Sequence, residues 1–301
     1  MEGRVKELSL LHPQHVCGLL AVTSGVKPST IIESVELEGW DYFLLLTKSK
    51  RLAVAYETYG GYALLTPNGE GLFVPSSRWE EFLERRDFSL VRRGEVELMK
   101  PVSRNGLDIR NVYVSRDLDV LLELARLHQS PARSNDVVRK LGALLGYPKC
   151  CVDRYVDDGV PEAWHRYFRS LIMEGIDENI PLELWAIYHV PCSPKCRESL
   201  RLGREYLKSV NKFSRSLFQA VIKELSSNHL SYSTGRRFID YREIGALIPR
   251  DFYKLSSKLL PEPRVTAGIV LRPYLYFEWI EEPYKLLFTK DLTGFKYIAY
   301  S

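Results

Sequence analysis

The sequence predicts an α+β protein with a sheet-rich N-terminal α/β domain, a helical middle and a small strand-containing C-terminal region. Short β-branched and aromatic runs separated by turn residues fill the beginning of the chain. Apolar residues at helical spacing dominate the middle, and short aromatic runs return near the end. We place the domains at residues 1–130, 131–230 and 231–301, with the third packed on the other two.

The N-terminal domain is predicted to alternate short helices and strands. Apolar runs and turn residues give, in order, a helix over 16–20, a hairpin made of 40–46 and 51–56, a strand over 61–65 and strands around 89–91, 96–98 and 112–114. Ser77 and Glu80 have the spacing of a capping box, so we predict a helix over 78–86.

The middle of the chain is predicted to be helical and the end to return to strands. Helical spacing predicts helices over 116–128, 135–145, 150–156, 161–174 and 181–188 and one long helix over 193–226. Gly146 follows the second of these helices, where glycine is the preferred terminating residue. Predicted C-terminal strands cover 269–276, interrupted by Pro273, then 286–288 and 296–300.

Four of the five cysteines lie in two tight pairs between Gly146 and Cys196. The tripeptide Pro-Lys-Cys occurs in both pairs, ending at Cys150 and at Cys196, each time at the predicted start of a helix. Free N–H groups and the positive end of the helix dipole favour a thiolate in a first helical turn. We therefore predict that the paired cysteines share one metal centre, with ligands Cys150, Cys151, Cys192 and Cys196.

The sequence is compatible with more than one kind of centre at these cysteines. Adjacent cysteines diverge on a helix, which favours ligation of different irons in an iron–sulfur cluster, a 4Fe–4S cluster being preferred. Zinc is the alternative, because Cys192-x3-Cys196 has the spacing of a zinc pair. Two disulfides, or inert buried thiols, are further alternatives. His189 is a candidate additional ligand, whereas Cys17 is predicted to be a core residue.

These motifs resemble a known family. The sequence GYPKCC, followed by HVPCSPKC, Ser199 and a basic helix, is similar to a prokaryotic, mainly archaeal, family catalogued as domain of unknown function number 483. The resemblance covers about residues 140–205 and its paired-cysteine motifs are fairly specific. It implies the cysteine site and no established activity.

A stripe of basic residues follows the second cysteine pair. At about 100° per residue these side chains share one narrow helix face; they are Arg197, Arg201, Arg204, Lys208, Lys212 and Arg215. Residues 193–225 contain eight basic and three acidic side chains, while the whole chain has a formal charge of only +4. The stripe is either a solvated face or a binding track for nucleic acid, in particular RNA, or for an acidic protein partner.

Composition predicts a cytoplasmic protein. No apolar run approaches the ~20 residues of a membrane span, and the N-terminus lacks the apolar core of a signal peptide. Glutamine occurs only at positions 14, 129 and 219, which with abundant charge suggests a thermophilic source.

Three functions fit these features. The first is an iron–sulfur enzyme for RNA modification, sulfur transfer or redox chemistry. The second is a binding module that a metal or disulfides stabilise, without catalysis, and the third is an accessory protein that docks an acidic partner. Whether the protein is an enzyme stays open at this point.

Overall fold

The computed structural model describes residues 13–32, 40–94, 103–104, 108–109, 111–131, 134–159, 163, 166–167, 170, 180–226, 229–233, 266–271, 274–279, 285–291 and 298–300. The chain forms two compact units. The first contains Met1–Asp158 and Glu183–Val221, and the second contains Gly159–Leu182 and Ile222–Ser301. The chain therefore leaves the first unit after Asp158 and returns to it at Glu183.

A six-stranded antiparallel sheet forms the centre of the first unit. Its strands are β1 (Ser29–Ile32), β2 (Ala53–Thr58), β3 (Gly61–Leu65), β4 (Gly71–Pro75), β5 (Arg92–Arg93) and β8 (Val112–Ser115). They lie in the order β1-β8-β2-β3-β4-β5. Two further strands, β6 (Ser103–Arg104) and β7 (Asp108–Ile109), pair only with each other. The α+β fold class predicted from the sequence is confirmed.

Helices cover both faces of the sheet. On one face, Ala53 and Ala55 of β2 pack with Phe82 of α3 (Trp79–Arg85) and with the leucines of α4 (Leu118–Gln129). Period-two alternation turns Tyr56 to the other face, where its ring meets Trp40 of α2 (Trp40–Ser49) edge-on. Burial on both faces explains why β2 is almost wholly apolar.

The sequence-based hairpin at 40–46 and 51–56 is wrong in its first half, because residues 40–49 form α2. Trp40, Phe43, Leu44 and Thr47 are buried, which is the spacing of one helical face. A short apolar run is compatible with a buried strand and with a buried helix, and in this structure it forms a helix. The hairpin is instead β2–β3, closed by Gly60 with φ +83°.

The predicted capping box at Ser77 is also wrong. Residues Ser76–Arg78 form a short 3-10 turn, and α3 begins at Trp79 with Arg78 at the N-cap and no side-chain cap. A second 3-10 turn, Phe88–Leu90, replaces the strand predicted around 89–91. The strand predicted around 112–114 is β8, and the one around 96–98 lies outside the described residues.

The helix that precedes the first cysteine pair was predicted correctly. It is α5 (Asn135–Leu144), and the Ser134 hydroxyl caps it by accepting from the Val137 N–H. It ends in the expected glycine motif: Gly146 has φ +67° and donates to the Ala143 carbonyl, while Tyr147 donates to the Gly142 carbonyl. This motif turns the chain directly into the cysteine helix.

The predicted long helix over 193–226 is two helices. They are α8 (Arg197–Phe213) and α9 (Arg215–Ser226), because Ser214 is extended with φ −161° and ψ 126°. The Ser214 hydroxyl accepts from the Leu217 N–H, so it caps the second helix as serine commonly does. Arg215 therefore belongs to a different helix from the other five basic residues of the stripe.

Three further helices lie in the first unit or at its boundary. They are α1 (Pro13–Thr23), α6 (Lys149–Asp158) and α7 (Leu182–Ala186). Helix α1 contains the run predicted as a helix over 16–20, and it packs against both β1 and α8. Most of the helix predicted over 161–174 lies outside the described residues.

The second unit contains a five-stranded antiparallel sheet. Its strands are β9 (His229–Ser233), β10 (Thr266–Leu271), β11 (Tyr274–Trp279), β12 (Lys285–Asp291) and β13 (Ile298–Tyr300). The residues predicted as one strand over 269–276 include the end of β10 and the start of β11. Sequence-adjacent strands pair along most of this sheet, so it is a meander.

The predicted domain boundaries near residues 130 and 230 do not coincide with the two compact units, and the three-domain division stays a prediction. Helices α1 and α8 pack together, so the N-terminal and middle regions share one core. Among the described helices, none has the length and apolarity required to span a membrane.

Candidate metal centre

The first cysteine pair lies at the start of α6. Pro148 precedes the helix, and its carbonyl accepts from the N–H groups of Cys151 and Val152. Cys150 is therefore in the first helical turn, as predicted, and Cys151 follows it toward the interior. Cys150 is exposed and Cys151 is buried, because adjacent residues of a helix point in different directions.

The second pair lies in a turn that leads into α8. The Cys196 N–H donates to the Ser193 carbonyl, and the Cys196 carbonyl accepts from the Leu200 N–H. Cys196 is thus the N-cap residue of α8, not a residue of its first turn as predicted. The turn 193–196 forms in place of the helical turn that Pro194 was expected to start. Cys192, half-buried, donates its N–H to the Cys151 sulfur over 3.3 Å.

The four cysteine sulfurs converge. The Sγ atoms of Cys150, Cys151 and Cys196 are separated by 3.9, 3.8 and 3.6 Å, and all four sulfurs, including that of Cys192, lie within 4.8 Å of one another. No disulfide joins any of the five cysteines in this structure. Cys17 is separately buried in α1, as predicted. The four converging cysteines could hold a metal ion.

Two polar side chains lie directly behind the sulfurs. The Ser199 hydroxyl lies 3.2 Å from the Cys151 sulfur and 2.9 Å from His189 Nε2. His189 is half-buried, but its Nδ1 is shielded from solvent and has no hydrogen-bond partner. The group of ligand atoms consists of the four sulfurs, and His189 is one hydrogen bond behind them. Its role as a ligand stays a prediction.

Burial and Ser199 give the thiols different acidities. Burial raises the pKa of the Cys151 thiol, and hydrogen bonds from Ser199 and from the Cys192 N–H oppose this only in part. Burial also raises the pKa of Cys192, to about 11. At Cys196 the same effect of burial is outweighed by Ser199 and the neighbouring thiols, which lower its pKa to about 7. Cys196 is therefore more acidic than Cys151 and Cys192.

Helix α8 is held tightly against the rest of the unit. A Cβ atom on Gly203 would lie 2.0 Å from the Glu183 carbonyl oxygen, so only glycine permits this approach to α7. On another side, the hydroxyls of Ser24 and Ser209 are 2.7 Å apart and connect α1 to α8. These contacts fix the position of Cys196 at the start of α8.

A buried lysine lies between the rings of Tyr147, three residues before Cys150, and Tyr206. Lys27 is only 2% exposed, and its Nζ lies 5.4 and 5.5 Å from the ring centroids of Tyr147 and Tyr206. Its hydrogen bond to Thr30 Oγ1 is long, at 3.4 Å. Burial lowers the pKa of Lys27 to about 7.

The basic stripe is exposed, as predicted, but it is partly neutralised. Arg201 pairs with Glu198 at 2.9 Å, Lys208 with Glu205 at 2.8 Å, and Arg204 is 3.6 Å from Glu183. The described residues include no acidic partner for three members, Arg197, Lys212 and Arg215. The stripe is therefore a mixture of paired and unpaired cations.

Sequence reasoning did not identify Lys27, Tyr206 or the role of Ser199. Ser199 and Tyr206 follow Cys196 by three and ten residues, so both lie on the same side of α8, and helical spacing could have indicated them. Lys27 stands in the turn Val26-Lys27-Pro28, where a lysine is normally exposed. Nothing in its local sequence indicates burial.

No protein-family model, no curated protein and no solved structure matches this chain.

Proposed function

We propose that this protein is a metal-stabilised binding module in which Cys150, Cys151, Cys192 and Cys196 hold a single zinc ion. The observation that carries the proposal is the separation of the sulfurs. A zinc ion with four thiolates at about 2.3 Å in tetrahedral geometry requires sulfurs about 3.8 Å apart. The separations among the sulfurs of Cys150, Cys151 and Cys196 are 3.6, 3.8 and 3.9 Å.

A 4Fe–4S cluster fits this spacing less well. Its four cysteine ligands bind separate irons, and the cluster's own iron and sulfide atoms lie between them. The ligand sulfurs must then stand farther apart than around one ion. The iron–sulfur centre predicted from the sequence stays a prediction, and the optical spectrum separates it from zinc.

Four protein ligands favour a structural role. A zinc ion with four thiolate ligands has no open coordination position, whereas catalytic zinc keeps one for water or substrate. The two pairs belong to α6 and to the start of α8, separated by 41 positions in sequence between Cys151 and Cys192. A bound ion would therefore connect two distant parts of the chain and stabilise their packing.

The test is metal analysis of protein purified without oxygen, together with two matched variants. We expect one zinc per chain, a colourless protein, and loss of stoichiometric zinc in Cys151→Ala. Cys17→Ala is the control, because Cys17 is equally buried but lies in α1 and outside the group of converging sulfurs. Its zinc content should equal that of the wild type.

Two results would contradict the zinc proposal. A broad visible absorbance with about four irons and four sulfides per chain would establish the iron–sulfur alternative. Equal zinc content in both variants would mean that the ion binds elsewhere. Chelation should also lower the thermal midpoint of the wild type, since structural zinc contributes directly to folding free energy.

We further propose that the exposed stripe binds single-stranded RNA. Support comes from the three stripe cations that lack acidic partners among the described residues, beginning with Arg197 immediately after the ligand Cys196. Phosphate contacts by such residues release counterions, so binding should weaken steeply with salt. Fluorescence anisotropy with a labelled oligonucleotide at several salt concentrations tests this. Undetectable binding at low salt would exclude RNA and leave the acidic protein partner as the alternative.

Free thiols and a zinc–thiolate site both suit a reducing compartment, which supports a cytoplasmic protein. The resemblance to domain of unknown function number 483 stays a prediction. If it holds, the proposed metal role extends to that family's paired cysteines.

A further inference from the structure

Lys27 is buried without a carboxylate to neutralise it. Its exposed fraction is 2%, and its polar contact is the 3.4 Å hydrogen bond to Thr30 Oγ1. Two tyrosine rings, Tyr147 and Tyr206, flank the ammonium group. Lysine is almost never fully buried unless it is paired. No carboxylate within the described ranges pairs with it, so the protonated amine has no counter-charge from that source.

Two more buried polar atoms near Lys27 lack hydrogen-bond partners. They are Nδ1 of His189 and the hydroxyl of Tyr206. The Tyr147 ring contacts the His189 ring, with centroids 4.9 Å apart, and it also faces Lys27. Lys27 and His189 therefore share one aromatic neighbour, Tyr147.

The other titratable groups around Lys27 are neutral near pH 7. Burial raises the pKa of Tyr206, and it raises that of Cys17, which faces Tyr206 from α1, to about 12. Burial first, and then the positive charge of Lys27, lower the pKa of His189 to about 3. None of these groups supplies a negative charge to Lys27, and His189, on which the charge of Lys27 acts, leads by hydrogen bonds to Cys151.

A hydrogen-bond path leads from this region to the cysteines. His189 is neutral and has one N–H. Its Nε2 has the Ser199 oxygen as a partner and its Nδ1 has none, which favours the tautomer protonated at Nε2. His189 Nε2–H then donates to the Ser199 oxygen over 2.9 Å, and the Ser199 hydroxyl donates to the Cys151 sulfur, 3.2 Å away. Both donors point toward the sulfur and stabilise a thiolate there.

We propose that Lys27 is the internal counter-cation of the metal–thiolate centre, acting through space, and that His189 and Ser199 support the Cys151 sulfur through their own hydrogen bonds. The inference rests on the proposed metal site. Four thiolates around a divalent ion carry a net charge of about −2, and inside a protein such a charge acts far more strongly than in water. The faces of Tyr147 and Tyr206 add a favourable environment for the ammonium.

Metal binding should therefore place a proton on Lys27. At pH 8 the amine of the metal-free protein is mainly neutral, since its pKa is about 7. The thiols lose their protons when the ion binds, and the negative centre draws one proton from solvent to the lysine nitrogen. No electrons move in this step. Wild-type protein thus releases about one proton fewer per bound ion than a protein without this amine.

The experiment is calorimetric titration of the metal-free protein with Zn²⁺ at pH 8 in buffers of different ionisation enthalpy, which counts released protons. Lys27→Met keeps most of the buried stem and removes the amine. It should bind one zinc 10- to 100-fold more weakly, as for other residues behind metal ligands, and release about one proton more. The cysteine thiols release the same number of protons in both proteins, so these protons cancel when the two counts are subtracted.

Lys149→Met is the matched control, because Lys149 precedes Cys150 but is exposed and pairs with Asp153. Its affinity and proton count should match the wild type. If Lys27→Met also matches the wild type, the inference is wrong while the metal site stands. If the wild type binds no zinc, the proposed function fails first.

Nuclear magnetic resonance of wild-type protein with ¹³C-labelled lysine gives a second readout that needs no variant. The pKa of Lys27 should rise when Zn²⁺ is added. An unchanged pKa in a zinc-loaded protein would overturn the inference even if Lys27→Met does not fold.

Discussion

The Ser199 hydroxyl lies between the Cys151 sulfur and His189 Nε2, at 3.2 and 2.9 Å. The Ser199 side chain is thus within hydrogen-bonding distance of both the Cys151 sulfur and the His189 ring. Removal of the hydroxyl takes a hydrogen bond from the sulfur and leaves a buried imidazole nitrogen without its partner.

For Ser199→Ala we expect zinc affinity to fall about tenfold, the lower end of the range for residues that support metal ligands. Competition against a chromophoric chelator measures this loss. Ser193→Ala is the control, because the Ser193 carbonyl, and not its hydroxyl, bonds to Cys196. Equal affinities of the two variants would show that the Ser199 hydroxyl does not support the centre.

Gly203→Ala should destabilise the first unit by about 3 kcal/mol or more. A Cβ at this position meets the backbone of Glu183 at 2.0 Å, and a backbone cannot rotate away as a flexible side chain can. Chemical denaturation gives the free energy of unfolding. Gly94→Ala is the control, since its Cβ would meet nothing within 4 Å. If the two variants are equally stable, α8 does not approach α7 as described.

The buried lysine predicts a pH dependence of stability in the metal-free protein. The pKa of Lys27 is about 7 when folded and 10.5 ordinarily, so between these values the unfolded chain binds more protons. Stability therefore rises with pH over this window, by up to about 1.4 kcal/mol per pH unit. Below pH 7 the contribution of Lys27 to the free energy of unfolding is at its most unfavourable.

Lys27→Met should lack this contribution. The measurement is the free energy of unfolding of both proteins, with chelator present, at several pH values. The difference between wild type and variant should grow in favour of the wild type from about pH 7 to 10. A difference that is constant with pH would contradict burial of the amine.

Alanine at Arg197, Lys212 and Arg215 should weaken binding of single-stranded RNA and lower the salt slope by about 0.7 per lost phosphate contact. Sequence preference should not change, because phosphate contacts carry no base information. Arg201→Ala is the comparison, since Glu198 already pairs with Arg201. If Arg201→Ala reduces the slope as much as the unpaired positions do, pairing does not decide which cations bind RNA.

The cysteine centre was predictable from the sequence, because the repeated Pro-Lys-Cys motif marks two similar chain positions. Cys150 does lie in a first helical turn, while Cys196 is one position earlier, at the N-cap. Pro148 and Pro194 behave differently because a hydrogen-bonded turn from Ser193 precedes the second helix. Tertiary context thus decides the local geometry, but not which residues converge.

Other features could not be obtained from local patterns. Residues 40–46 contain a short apolar run that satisfies a strand or a helix, and contacts such as Trp40 with Tyr56 favour the helix. Ser214 interrupts a continuous helical pattern by capping the next helix. Lys27 is buried only because Tyr147 and Tyr206, far away in sequence, pack around it. The thermophilic source stays a prediction.

The separation of the two cysteine pairs has a consequence for biosynthesis. Cys151 is translated 41 residues before Cys192. At ~5–20 residues per second, about 2–8 s pass between them on the ribosome. During that interval the first two thiols have no partner pair, and the Ser199 hydroxyl that supports Cys151 does not yet exist. Loading of the proposed zinc site would therefore follow synthesis of the six-stranded sheet.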